Sequence, residues 1–136
     1  MTEAEAIELT LTHIKELFPR NCSACARTFS TFVDYLRTTE PLGHPLSHDF
    51  ESGSPSISNP SGGMAFSKCP CGATMSLSPR GMPLTTLAGL LLWAKSECDR
   101  RGMKPRDFLE YFRWEVRKKA LEETPDLSGA AETVPV

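Results

Sequence analysis

A chain of 136 residues, of which 40% are hydrophobic, is long enough to form one domain with a modest core. Its formal net charge of -2 excludes a strong overall attraction to nucleic acid. The longest apolar run, LAGLLLWA, is too short to span a bilayer, and the acidic N-terminus does not resemble a secretory signal. We therefore predict a soluble, cytoplasmic protein without membrane association.

The N-terminal third predicts two helices. From a start at Thr2 to an end at Pro19, apolar residues recur at helical spacing: Ile7, Leu11, Ile14, Leu17 and Phe18. A second, shorter helix is predicted over residues 28–38, where a similar spacing joins Phe29, Phe32, Val33 and Leu36.

The middle of the chain predicts a long loop followed by a hairpin. Residues 40–63 are rich in Pro, Gly and Ser and show no sustained period of 2 or 3.6, which is typical of a loop. The segments MAFSKC and ATMSLS then alternate apolar and polar residues, as strands do, and enclose a Cys-Pro-Cys-Gly turn. An isolated hairpin is marginal in water, so it needs a cross-link or a packed helix.

The C-terminal half predicts two further helices and a tail. Pro83 introduces the third helix and Gly102 ends it, while Pro105 lies in the first turn of the fourth. The small and polar composition of residues 124–136 predicts a disordered tail. The whole pattern predicts one α+β domain over residues 1–123, with three to four helices packed on a short β-hairpin.

Four of the five cysteines form two close pairs, and these pairs predict a metal site. Chains without an export signal seldom use disulfides, so the thiols are available for metal or redox chemistry. Zinc takes four ligands in a tetrahedron, and each short turn supplies two thiolates. We predict that one Zn²⁺ ion staples the fold through Cys22, Cys25, Cys69 and Cys71. Cys98 lies alone on an apolar helix face and is predicted to be a core residue.

Three other interpretations of these residues stay open. Either cysteine pair could serve redox chemistry, or all four could hold an iron–sulfur cluster. A different ligand set would join the first pair to His44 and His48, which have H-x3-H spacing. The same two histidines, with Asp49, form the only candidate acid–base group, but no nucleophile has a recognisable setting beside them, so an enzyme is not favoured.

Both cysteine turns resemble known zinc turns. The first resembles the cysteine turn of a two-cysteine, two-histidine zinc finger at Cys22, Cys25, Phe29 and Tyr35. That resemblance ends at Thr38, which occupies the place of the next expected histidine. The second pair resembles the second turn of a zinc ribbon. These resemblances imply zinc binding and do not imply DNA recognition.

The fourth helix carries a candidate partner-binding face made of Tyr111, Trp114, Arg117 and Lys118. Basic residues at a helix C-terminus also interact favourably with the helix dipole, which is the simpler explanation of their position. Aromatic residues interleaved with Arg are equally typical of interfaces. A nucleic-acid partner is less favoured than a protein, because Asp107, Phe108 and Leu109 stand where a recognition helix would read bases.

Together these features predict a small zinc-binding protein that acts as a protein-binding regulatory or adaptor module. The alternative from another class is a thiol-based redox sensor or metal-responsive sensor. A nucleic-acid-binding zinc protein is the third prediction.

Overall fold

The computed structural model describes residues 1–46, 64–78 and 81–123. Within these residues the chain forms helices and short antiparallel strands in an α+β arrangement, which confirms the predicted fold class. In chain order the elements are α1 (Glu3–Lys15), β1 (Arg20–Asn21), β2 (Thr28–Phe29), α2 (Phe32–Thr38), β3 (Glu40–Leu46), β4 (Met64–Lys68), β5 (Thr74–Leu77), α3 (Leu84–Arg101) and α4 (Pro105–Glu123).

Helix α1 begins where the sequence predicts. The Thr2 hydroxyl accepts a hydrogen bond from the Glu5 backbone N–H at 3.1 Å, and the Glu5 carboxylate accepts one from the Thr2 N–H at 2.7 Å. This reciprocal capping box satisfies two of the donors that a helix N-terminus leaves unpaired. The helix buries Ala6, Ile7 and Leu11 on one face.

Helix α2 is shorter than the predicted 28–38 segment. Thr28 and Phe29 pair with Asn21 and Arg20 as a two-stranded ribbon, so they are not helical. The helix starts after Thr31, whose side chain accepts from the Asp34 N–H at 3.0 Å and caps the first turn. The aromatic spacing was correctly helical, but its first member belongs to strand β2.

The predicted hairpin exists as β4 and β5, and a third strand extends it. Strand β3 pairs antiparallel with β4, so the sheet order is β3-β4-β5. The prediction of a loop over 40–63 is therefore wrong for its first part, Glu40–Leu46. The rest of that loop, residues 47–63, lies outside the described residues, as does the predicted tail 124–136.

The composition of β3 explains why the sequence predicts a loop there. Prolines stand at positions 41 and 45, and Gly43 adopts a positive φ of 58°. Proline is tolerated on an edge strand because it lacks only the donor that would face away from the neighbouring strand. The register shifts between Leu42 and Leu46, which interrupts the alternation that normally identifies a strand.

Helices α3 and α4 form the predicted helical pair. Gly102 ends α3 in the left-handed conformation, with φ 65°, and its N–H donates to the Cys98 carbonyl. Helix α4 starts at Pro105 and contacts α1, α2, α3 and strand β3, so it is the central element of the fold. None of the described helices is both long and apolar enough to cross a membrane.

Helices α1 and α4 run parallel and are tied together at both ends. Near the start of α1, Glu3 accepts a hydrogen bond from the Tyr111 hydroxyl at 2.8 Å and pairs with Arg101 at 2.6 Å. At the other end, Lys15 pairs with Glu123 at 2.9 Å. Partly exposed ion pairs contribute little each, so we expect them to set register more than stability.

Two clusters of buried side chains form the core. One joins α1, α2 and α4 to the cysteine turns and includes Leu11, Phe29, Tyr35 and Val116. The other lies between α3 and α4 and includes Leu87, Leu91 and Phe108. Phe112 packs against both clusters and connects them.

The core assignment predicts different responses at two leucines of α1. Leu11 is fully buried and Leu9 is 41% exposed. We expect Leu11→Ala to lower the free energy of unfolding by about 2–5 kcal/mol, because it removes buried apolar atoms and leaves a cavity. Leu9→Ala, the matched control, should change it by about 0.5 kcal/mol or less. Urea unfolding measures both, and equal effects would contradict the assignment.

Candidate metal centre

The four paired cysteines meet at one point on the surface of the first cluster. Their sulfur atoms all lie within 4.8 Å of one another. Cys22 and Cys71 have sulfurs 3.7 Å apart, and so do Cys25 and Cys69. In a tetrahedron with metal–sulfur bonds of about 2.3 Å, neighbouring sulfurs are about 3.8 Å apart. The separations therefore suit a single tetrahedral ion.

The same distances exclude disulfide bonds within the cluster. A disulfide joins its sulfurs at about 2.0 Å, far shorter than the 3.7 Å separations. All five cysteines of the chain are free. The two close contacts each join one cysteine of the first turn to one of the second, so the sulfurs of the two turns face each other.

The β1–β2 ribbon positions the first turn. The Cys22 N–H donates to the Arg27 carbonyl at 2.9 Å, and the Cys22 carbonyl accepts from the Ala26 N–H at 2.8 Å. Ala26 has a φ of 63°, in the left-handed region that a residue with a side chain seldom adopts. This backbone arrangement closes the turn that carries Cys22 and Cys25.

The β4–β5 hairpin positions the second turn in the same way. The Cys69 N–H donates to the Ala73 carbonyl at 2.9 Å, and the Cys69 carbonyl accepts from the Gly72 N–H at 2.8 Å. Gly72 has a φ of 98°, which glycine adopts without steric cost. Although this turn is one residue shorter than the first, the residue after its second cysteine again has a positive φ.

Each turn contributes one buried and one exposed cysteine. Cys22 and Cys69 retain only 2% and 1% of their accessible surface and belong to the first core cluster. Cys25 and Cys71 are exposed. The cluster is thus anchored in the core on one side and reaches solvent on the other.

The two buried thiols of the cluster have pKa values shifted in opposite directions. Backbone N–H groups of Cys25 and Ala24 point at the Cys22 sulfur and lower its pKa to about 7. At Cys69 the N–H of Cys71 also favours the thiolate, but burial and the neighbouring sulfurs outweigh it and raise the pKa to about 12. Four thiolates this close repel one another, and a divalent cation removes that repulsion. The electrostatics of the site therefore favour an occupant of positive charge.

Arg20 links the two halves of the site, a role that no sequence pattern indicates. Its guanidinium donates to the Ser76 carbonyl at 2.6 Å, which ties strand β1 to strand β5. A single arginine before a cysteine pair carries no distinctive signal. Only the approach of the two ribbons in space identifies it.

Among the described residues, the cluster consists of the four cysteines. His44 lies on β3, but its side chain is not among the described parts, and His48 lies outside the described residues. The cysteines reach four sulfur ligands without either histidine. Cys98 is buried in the second cluster, as predicted for a core residue.

The predicted partner face is divided between inner and outer residues. Tyr111 faces inward, where its hydroxyl bonds Glu3 and the Arg101 guanidinium lies 5.1 Å from its ring centre. Trp114 is 41% exposed and Lys118 is exposed.

Arg117 has intramolecular contacts on both sides. Its guanidinium lies 5.5 Å from the Trp114 ring centre and donates to the Leu36 carbonyl at 3.3 Å. The indole N–H of Trp114 approaches the Glu110 carboxylate at 3.4 Å. The exposed part of the face is thus an indole held between a cation and an anion.

Comparison with known proteins adds no family assignment. No protein family, curated protein sequence or solved structure gives a significant match to the chain. The fold and the cysteine cluster define it as a candidate metal-binding module of the α+β class.

The cluster predicts that Cys69→Ser weakens both turns at once. If one ion joins them, removing one ligand loosens the first turn as well as the hairpin that carries the substitution. Hydrogen exchange should accelerate at the Cys22 and Cys69 amides together. Cys98→Ala is the matched control, since this buried cysteine lies outside the cluster. Exchange confined to the hairpin would contradict a shared site.

A second variant separates the two ligand sets. His44→Ala with His48→Ala should leave the metal content and the four-sulfur X-ray absorption signature unchanged. Loss of metal in this double variant, with retention in Cys69→Ser, would show that the histidines are the true second pair.

Proposed function

We propose that the four cysteines bind one Zn²⁺ ion. The observation that supports this most strongly is the set of sulfur separations, which suits one tetrahedral ion. An iron–sulfur cluster places several iron and sulfide ions between its cysteine ligands, so the cysteine sulfurs must lie farther apart. Zinc is the common ion for a compact four-thiolate site.

The proposed ion has a structural role. Four thiolates complete the coordination of zinc, whereas catalytic zinc keeps a position open for water. The ion would join the ribbon β1–β2 to the hairpin β4–β5, two segments that are far apart in sequence. Because such a site does not exist in the unfolded chain, the free energy of binding becomes free energy of folding. We therefore propose no enzymatic activity.

We further propose that α4 makes the chain a protein-binding regulatory or adaptor module. The supporting observation is Trp114, a large aromatic side chain that remains 41% exposed. Arg117 and Glu110 hold its ring in place, so less side-chain entropy is lost when a partner covers it. Lys118 adds a solvated cation beside it. Pre-positioned aromatic residues next to cations are typical energetic centres of protein interfaces.

A redox sensor is a second candidate because two of the four sulfurs are exposed. A peroxide can reach Cys25 and Cys71 without unfolding the chain. Oxidation of two thiolates would form one sulfur–sulfur bond, reduce the peroxide to water or an alcohol, and release the ion. The free state of all five cysteines suits the reducing, cytoplasmic setting that the sequence predicts.

The partner face predicts a selective loss of binding. In the double variant Trp114→Ala with Lys118→Ala, the tagged chain should no longer capture a specific partner protein. Its metal content and its thermal unfolding should not change. Truncating an interface centre typically costs about 2 kcal/mol or more, which is roughly thirtyfold in affinity.

Leu92→Ala is the matched control, because Leu92 is also exposed, at 45%, but lies on α3. Equal losses from both variants would indicate nonspecific adhesion and contradict the proposed face. Capture of nucleic acid with a steep dependence on salt would instead favour a phosphate-binding role for the basic residues.

A further inference from the structure

A half-open cavity of about 220 Å³ lies between the two core clusters, away from the cysteine site. Side chains from α1, α3 and α4 form most of its wall, and most of these are apolar, among them Ile14, Leu87, Leu91, Phe108, Phe112 and Val116. Apolar side chains that face such a space are stabilised when an apolar molecule covers them and removes their surface from water. An engineered apolar cavity of about 150 Å³ binds benzene. By that measure this cavity suits an apolar molecule of about nine or ten non-hydrogen atoms.

One part of the cavity wall is polar. Tyr35 retains only 2% of its accessible surface. Its hydroxyl makes no hydrogen bond of good geometry with the residues the structure describes, although the Ser67 side chain on the same wall lies near it. A buried hydroxyl normally forms a hydrogen bond to protein or to ordered water, because a buried hydroxyl without one has lost its hydrogen bonds to bulk water and gained none in return. His13 presents a second buried atom of this kind, Nε2, to the same cavity. Both groups can bond to a polar atom of an occupant.

A half-buried cation lies beside Tyr35. The Arg113 guanidinium lines the cavity and donates to two backbone carbonyls, of Gly43 at 3.1 Å and of Phe66 at 2.6 Å. In the described part of the chain, no carboxylate forms an ion pair with it. Burial lowers its pKa, which reflects the cost of keeping the charge there. A guanidinium has five donors, so it can bond to an anion in addition to the two carbonyls.

Arg117 places a second guanidinium on the same wall, and it also donates to a neutral carbonyl, that of Leu36. Two cations and an unbonded phenol at one part of an otherwise apolar cavity match a molecule with an anionic head and an apolar body. A planar carboxylate is the smallest such head, and it accepts paired hydrogen bonds from a guanidinium. The cavity volume limits the body to a short chain or a single ring.

We propose that this cavity binds a small amphiphilic carboxylate, with its head group at Tyr35 and Arg113 and its apolar body among the side chains of α1, α3 and α4. The occupant would satisfy the Tyr35 hydroxyl, pair with the buried guanidinium and fill space between the two core clusters. The proposal does not depend on the metal or on the partner face.

Octanoate tests the proposal directly, because it has ten non-hydrogen atoms and one carboxylate. Isothermal titration calorimetry on the full chain should detect saturable binding of one octanoate. 1-Octanol, which keeps the apolar chain but lacks the charge, should bind about tenfold more weakly or worse, since it loses the charge-assisted hydrogen bonds. Tyr35→Phe should weaken octanoate binding by about tenfold and octanol binding by clearly less, because the hydroxyl of octanol carries no charge to strengthen its hydrogen bond to Tyr35.

A cavity-filling variant identifies the location. Ala94 on α3 lines the cavity, so Ala94→Leu should fill part of it and abolish octanoate binding. Ala4→Leu adds the same atoms at an exposed position of α1 and should leave binding intact. Zinc content should be the same in all these variants.

Three results would overturn the proposal. One is no saturable octanoate binding to the wild-type chain, and another is undiminished binding to Ala94→Leu. The third is octanol binding as tightly as octanoate, which would show that the cavity accepts neutral molecules and that the polar wall is not a head-group site. If Ala94→Leu does not fold, the response of Tyr35→Phe to the two ligands still decides the question.

Discussion

The rest of the structure depends on four sulfur atoms being held within 4.8 Å of one another. Unpaired thiolates at such distances repel, so the arrangement is favourable only when the sulfurs are protonated or share a cation. The two ribbons that carry them are short, and neither would be stable alone in water. A shared ion would join the two ribbons into one unit, which Cys22 and Cys69 attach to the core. Helix α2 and strand β3, which lie between the two cysteine turns in the sequence, would then be held at both ends.

Helix α4 divides the molecule into two parts with different properties. On one side it packs with α1 and α2 against the cluster that contains the buried cysteines. On the other side it packs with α3 against Phe108 and its neighbours, and the apolar cavity lies where the two sides meet. Its remaining surface carries Trp114 and Lys118. Helix α4 thus borders the core cluster that holds the buried cysteines, the cavity and the exposed face.

The sequence predicted the features that depend on local rules. Helix limits followed from Thr2, Pro83 and Gly102, and the cysteine turns followed from their spacing, because capping and short turns are set by neighbouring residues. Strand β3 could not be predicted, because its prolines and its bulge remove the alternation of apolar and polar residues that identifies a strand. Only its pairing with β4 stabilises it. The cavity could not be predicted either, because Tyr35 and Arg113 come together only through tertiary packing. The spacing of residues in the sequence does not show whether a buried hydroxyl has a hydrogen-bond partner.

Elemental analysis of the full chain, purified under reducing conditions without added metal, is the most direct test of whether one zinc ion stabilises the fold. We expect one zinc per chain, and we expect its removal by a chelator to lower the midpoint temperature of thermal unfolding, because binding free energy is folding free energy. Substoichiometric zinc, with a full complement of free thiols and an unchanged midpoint temperature, would contradict a structural zinc site. Iron with visible absorbance would contradict it in a different way, by replacing the single ion with a cluster.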